Sequence, residues 1–361
     1  MKPFSAFASL PARLLLGSAA TLSLLACDPE NDPNPGPAPI ITNSVFVVNE
    51  GNFTRSNADI SLFSKASSSV TNLALFASSN KGAPLGDVAQ SMAVRDSLGY
   101  IVVNNSNKVE VVSLAKFKSK ATISNLKMPR YFASASSDKG YVTETVTYSG
   151  ANGQVSVIDL KTNKVTKTIE VGSQPEQLAV VGSRLYVTNN GGNTVTVINT
   201  STDQVEGTIP VGDGPNSVVG DRNGRVWVLS SGKVVYNPNP TLVTKGSLSM
   251  IIPGQLTATT RETASNQSSP GNLTINGSRD QLYYTYLGGV YTVSITEATL
   301  PTTPLIRQGT FRGLGVDPQD GTIYGSRAPF TAAGKVIRYR PTGAPIDSFA
   351  VGIGPNGFVF Y

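Results

Sequence analysis

A pattern of four short strands that repeats every 40–50 residues is the strongest constraint on how this 361-residue chain folds. The clearest copy begins at Pro175. Residues 175–181 read as a strand, Gly182-Ser183 turn the chain, and Arg184-Leu185-Tyr186-Val187-Thr188 alternate as a second strand. A Gly/Asn loop over 189–193 leads to a third strand at Thr194–Asn199 and a fourth at Val205–Ile209. Period-two alternation bounded by Gly, Asn and Asp is the signature of antiparallel strands. The pattern restarts at Pro215, and aligned starts fall at Ala89, Pro129, Pro175, Pro215, Pro270 and about Arg312. The intervals are 40, 46, 40, 55 and about 42 residues. Four strands per such period predict an all-β fold, a β-propeller. Val45–Val48, Ala58–Phe63 and Val70–Phe76 supply strands two to four of a further blade, and Pro355–Tyr361 matches Pro175–Val181 as its missing first strand. The expectation is therefore a seven-bladed propeller over 43–361, closed by the C-terminal strand joining the first blade, which leaves no open sheet edge between the chain ends.

The long 55-residue period carries its extra length between Ser230 and Gly246, between its second and third strands. In a four-stranded blade that loop shares a face with the connection to the next blade. Extended loops recur on that face at Asn49–Asn57, Glu144–Gln154 and Ser326–Lys335. Elaboration of one face of a repeat array is expected of a binding face.

Residues 1–26 carry Lys2 and Arg13 and no acid, followed by an apolar run too short to span a bilayer. They read as a signal peptide. The run ends in Leu24-Leu25-Ala26-Cys27, which resembles the bacterial lipobox, and Cys27 is the only cysteine of the chain. The resemblance implies diacylation of Cys27 and a lipid anchor, each buried CH₂ contributing about 0.8 kcal/mol. Residues 27–42 then form a tether whose prolines prevent a helix or a central strand. Its acids next to Cys27 resemble the surface-export signals of Bacteroidetes lipoproteins, which favours the outer face of the outer membrane over its periplasmic face, the alternative. Beyond residue 26 the chain holds 27 bases and 23 acids, scattered without a basic stripe, so nucleic acid is not an expected partner.

Three further segments carry a family resemblance: Val47–Phe53 with Asn57–Ser61, Leu85–Met92 with Val103–Lys108, and Leu185-Tyr186-Val187-Thr188-Asn189. Together they resemble the YncE-like seven-bladed propeller lipoproteins of Bacteroidetes. Some members of that group capture cobalamin for a TonB-dependent outer-membrane transporter. The resemblance thus implies a small-molecule ligand and such a transporter as partner, without selecting corrinoids over a polysaccharide or a protein.

Candidate binding residues lie in the loops of the elaborated face. Asn104, Asn105, Asn189 and Asn190 offer neutral donors and acceptors, although Asn and Gly also serve plain turn chemistry. Asn52 belongs to the same class. Phe53, Tyr131, Tyr148, Tyr236 and Phe330 are loop aromatics suited to contact a ligand, whereas Trp227 and Tyr186 fall inside strands and are expected in the core. Glu50 and Glu144, with Arg55, Arg130 and Arg327, bring charge to the mouth of the channel. Asp317-Pro318-Gln319-Asp320-Gly321 sits at a hairpin-turn position and lacks the ligand spacing of a calcium loop. No metal or cofactor is expected.

The chain has no histidine, which removes His-based triads, general bases and metal ligands. The reading that follows is a binding protein, not an enzyme. A hydrolase or lyase working through Glu50 and Glu144 is the rival, and a structural or adhesion protein is the third class.

Overall fold

The computed structural model describes residues 42–236, 238–307 and 309–361. Cys27, the signal segment and nearly all of the tether lie outside them. Seven antiparallel sheets are arranged as a β-propeller. Blade 1 runs from its inner to its outer strand as Pro355–Phe360, Ser44–Asn49, Asp59–Ser64 and Ser69–Asn72. Blade 2 is Ala89–Arg95, Leu98–Val103, Lys108–Ser113 and Ser119–Ile123. Blade 3 is Pro129–Ser134, Lys139–Glu144, Asn152–Asp159 and Lys164–Ser173, and blade 4 is Pro175–Val181, Arg184–Asn189, Thr194–Asn199 and Gln204–Pro210. Blade 5 is Pro215–Gly220, Val226–Ser230, Ser247–Ile251 and Ala258–Glu262. Blade 6 has Gly271–Ile275, Gln281–Tyr286 and Gly289–Ser294, and blade 7 has Leu314–Val316, Ile323–Arg327, Gly334–Tyr339 and Pro345–Val351. Each inner strand packs against the inner strands of both neighbouring blades, so the ring is closed.

The closure is the one expected. Val45 pairs with Phe360, Phe46 with Val359 and Val47 with Phe358, and the Ser44 and Tyr361 backbones bond each other in both directions. Sheets stacked face to face around a ring bury the middle strands on both sides. Ser44–Asn49 is accordingly buried at every position, while the outermost strand Ser69–Asn72 alternates and lies partly in solvent. The described residues form seven apolar clusters, one in each seam between adjacent blades. Trp227 and Tyr186 are both core residues at 1% exposure.

Three local expectations need correction. Val70–Phe76 is not one strand: the strand ends at Asn72, and Leu75–Ser79 is helical. The Asp59 carboxylate, from a neighbouring strand, accepts the Phe76 and Ala77 N–H groups at 2.8 and 3.2 Å and so caps this turn. Among the described residues blade 6 has no regular fourth strand. Pro301 and Pro304 remove ladder donors there, and Leu305 and Ile306 reach across to Val290. Tyr131 is not in a loop but on the inner strand of blade 3. The insertion in blade 5 folds into an extra hairpin, Val234–Tyr236 with Pro240–Leu242. Asp317–Gly321 is the hairpin turn expected, its Asp317 carboxylate paired with Lys65 at 2.9 Å.

Candidate functional site

The loops between second and third strands, together with the connections between blades, form one face. The sequence-predicted residues gather on it in three different environments. The first is the wall of the channel. The Arg130 guanidinium donates to both carboxylate oxygens of Glu176 at 2.8 and 2.6 Å and to Gln90 Oε1 at 2.7 Å, so it ties together the inner strands of blades 2, 3 and 4. Burial alone lowers an arginine pKa, but the adjacent Glu176 charge outweighs it and holds Arg130 above the usual range. Tyr131 sits beside this pair within hydrogen-bonding reach of Gln177 and Gln90, its phenol pKa raised by burial and by Glu176.

The second environment is structural. The last residues of the second strands occupy one recurrent slot, each paired with a residue at or near the start of the third strand. Asn49 faces Asp59, Glu144 faces Gln154 and Asn189 faces Thr194. Asn189 is 1% exposed and donates to Thr194 and Thr196, both at 2.9 Å. Glu144 is fully buried; it accepts from the Ser156 hydroxyl and from the Lys127 N–H at 2.5 Å. Burial raises its pKa in spite of these bonds. Asn104 is also buried, and it donates to the Pro129 carbonyl at 2.9 Å. Asn190 reaches the Pro215 carbonyl at 3.4 Å, and Asn105 donates to Asp87, which also accepts the Thr54 N–H. Asn104 and Asn190 thus tie their loops to the next blade, whereas Asn189 bonds within its own. Glu50 and Glu144, proposed from sequence as a carboxylate pair, belong to blades 1 and 3 and are each engaged by their own partners.

The third environment is the seam where blade 7 meets blade 1. Arg312 donates to both Glu50 oxygens at 2.8 and 2.9 Å, and Asn356 Nδ2 donates to Glu50 Oε1 at 2.8 Å. The Arg312 guanidinium carbon lies 5.5 Å from the centre of the Phe330 ring, a cation–π distance. Asn52 Nδ2 donates to the Phe330 carbonyl at 2.7 Å. Glu50, Asn52 and Phe330 are therefore brought together, with Arg312 as the hub. Phe53 and Arg55 continue the same blade 1 loop and are exposed, Phe53 at 68%. Tyr148 and Tyr236 are exposed on the loops of blades 3 and 5, apart from this seam in the ring order.

Beside the hub, between blades 6 and 7, a pocket of about 830 Å³ opens on the loop face. Four connections build its walls: Ser268-Ser269 entering blade 6, Leu287-Gly288 within it, Gly309-Thr310 entering blade 7, and Ala328-Pro329 within that. Tyr286, Phe311, Arg312, Arg327 and Lys335 project onto it from the strands and their ends. Of the residues predicted from sequence, only Arg327 lines this pocket. Arg312 and Lys335 were missed as site residues. Arg312 carried a signal, since every other aligned blade start is Pro or Ala. Among the described residues no cluster of acidic or sulfur ligands suited to a metal occurs, and no helix is long and apolar enough to cross a membrane.

Solved structures share the fold. A putative 6-phosphogluconolactonase from Bacteroides fragilis matches with a TM-score of 0.65 at 14% identity, covering 91% of this chain and 99% of that one. A quinonprotein alcohol dehydrogenase-like protein from Bacteroides thetaiotaomicron gives a TM-score of 0.67 at 12% identity, over 89% of this chain and 78% of the other. Hydrazine synthase from Kuenenia stuttgartiensis gives 0.59 at 16% identity, over 72% and 85%. At such identities the likeness is one of fold. No curated protein matches the chain. The family model described as Domain of unknown function (DUF5074) matches residues 43–333, most of the propeller, and the chain belongs to that family.

Proposed function

We propose that this propeller is a binding protein of the cell envelope, anchored through an acylated Cys27, whose loop face captures a small molecule for an outer-membrane transporter of the TonB-dependent type. The open pocket between blades 6 and 7 carries the reading. It lies on the elaborated face, falls in the 300–1,000 Å³ range of ligand sites, and is walled by loops held on a closed ring. Preformed walls lower the ordering cost of binding. Binding rather than hydrolysis is favoured because the two carboxylates that a hydrolase would use are separately committed, Glu50 to Arg312 and Glu144 to the interior of blade 3. The likeness to YncE-like lipoproteins makes a corrinoid the first ligand to try.

The test has two arms. Purified protein is titrated calorimetrically with cyanocobalamin and with neutral oligosaccharides, beside a Ser269→Trp variant that fills the mouth of the pocket. Binding that Ser269→Trp abolishes is expected, and absence of binding to every compound overturns the capture reading. In cells, Cys27→Ser is expected to move the protein from the membrane to the soluble fraction. A variant that is processed yet stays membrane-bound disproves the anchor.

A further inference from the structure

We infer that the pocket between blades 6 and 7 reads its ligand through a secondary amide, such as the acetamido group of an N-acetylated sugar or the peptide bond of a short peptide. The inference rests on the capture reading above and adds the ligand chemistry. Its basis is a pair of backbone bonds that five blades make and blade 6 does not. In blades 1 to 5 the two N–H groups that follow the second strand donate to the two carbonyls that precede the inner strand of the same blade. Glu50 and Gly51 bond Gly354 and Ile353, both at 2.9 Å, and Asn104 and Asn105 bond Val88 and Asp87 at 2.8 and 3.1 Å. Thr145 and Val146 bond Met128 and Lys127 at 3.2 and 3.4 Å, and Asn190 and Gly191 bond Gln174 and Ser173, both at 3.0 Å. Ser231 and Gly232 bond Gly214 and Asp213 at 2.8 and 2.9 Å. The residue just before the inner strand has a φ between +48° and +67° in all five. This latch closes each incoming connection onto the loop beside it.

By the same count, blade 6 would join the Leu287 and Gly288 N–H groups to the Ser269 and Ser268 carbonyls. Among the described residues neither bond is made, and Ser269 lacks the positive φ of its counterparts. The sequence explains the gap. The loop is cut to a two-residue turn, Leu287-Gly288, with φ of +45° and +69°, the type I′ pattern. The slot before it holds Tyr286, whose hydroxyl accepts the Ser265 N–H and donates to the Ser265 carbonyl, both at 2.8 Å. The connection is thus held upstream, at the end of a long side chain, and not against the turn. In blade 7 the second donor position is Pro329, which has no N–H. Ser268, Ser269, Leu287 and Gly288 all line the pocket. One wall therefore offers two main-chain donors and another two main-chain acceptors. Backbone groups without a protein partner are served by water. A ligand replaces that water without loss only if it brings both an acceptor and a donor. A secondary amide carries the two in one plane, on separate atoms that point apart, which is what the backbone supplies to itself in blades 1 to 5. A hydroxyl has to serve both walls from a single oxygen. Phe311, Ala328, Pro329 and Ala333 give the apolar lining that an acetamido methyl or a small side chain needs.

The experiment uses the full chain and two amide probes, tri-N-acetylchitotriose and N-acetyl-trialanine methylamide. Cellotriose is the control, since it has hydroxyls where the first probe has acetamido groups. Affinity is measured by calorimetry for wild type and Ser269→Trp, and the exchange of individual backbone amides is followed by NMR. In the free protein Leu287 and Gly288 are expected to exchange faster than Asn190 and Gly191, their latched counterparts in blade 4. At least one amide probe is expected to bind at least about tenfold more tightly than cellotriose and to slow Leu287 and Gly288 exchange by a similar factor. The probe that does so identifies the source of the amide. Ser269→Trp is expected to lose that binding while its own thermal midpoint stays close to wild type. Exchange at Leu287 and Gly288 as slow as at Asn190 and Gly191 in the free protein overturns the proposal. So does binding of cellotriose as tight as that of the amide probes, amide binding that leaves the two N–H groups unprotected, or no amide binding at all. Cyanocobalamin or cellotriose bound in a Ser269→Trp-sensitive manner alongside such a result leaves the capture reading standing and removes only the amide.

Discussion

At the slot that ends each second strand, one backbone position serves several kinds of chemistry. Asn49 and Asn189 bond within their own blades, Glu144 is sealed inside its sheet, and Arg327 faces a pocket. Glu144 gives a test of the burial argument. Its pKa is raised in the folded protein, so between the unfolded value of about 4.3 and the folded one the native state keeps a proton that the unfolded chain releases. Stability is therefore fully present below that window and falls as pH rises through it. Glu144→Gln cannot ionise and can still accept from the Lys127 N–H. Calorimetric melts from pH 4 to 7 are expected to show a flatter profile for the variant, with a midpoint at pH 7 equal to or above wild type. A variant that melts lower at pH 7 with the same slope would mean that the charge stabilises. Sequence alone located the loop face and named Glu50, Asn52, Arg327 and Phe330 on it. It did not distinguish Glu144 and Asn189 as interior, because a strand's last residue points inward or outward according to which blade stacks against it.

Single elements record where the repeat holds and where it gives way. Hairpin periodicity made nearly every blade strand legible. The failures came from non-local or covalent causes: Asp59 caps a helical turn across its sheet, and two prolines break the outer strand of blade 6. The extra length in blade 5 was visible as a count of residues. Its hairpin exposes Val234, Val235 and Tyr236, the last at 77%, while the four strands of the blade pair without it. Replacing residues 234–243 by Gly-Gly is therefore expected to shift the thermal midpoint by less than about 3 °C. A fall well beyond that, measured by circular dichroism, would show that the hairpin supports the blade.

The whole molecule depends on its last seam. Pro355–Phe360 completes blade 1, and Phe358, Val359, Phe360 and Tyr361 pack into the clusters on both sides of it. A chain ending at Gly354 loses the innermost strand of blade 1, the one that packs against the inner strands of both neighbouring blades, and it exposes the Ser44–Asn49 backbone. Its melt is expected to lose cooperativity or to fall by more than about 15 °C, as seen by circular dichroism and calorimetry. A truncated chain that melts like the full one would show that the ring does not rely on closure. The same seam has a consequence in time. The partners that make blade 1, Ser44–Asn49 and Pro355–Phe360, lie some 300 residues apart, which at roughly 5–20 residues per second is 15 s or more of synthesis. Until the later segment emerges, the earlier one has no partner on its inner side. A nascent propeller therefore cannot lock shut before Pro355–Phe360 has been made.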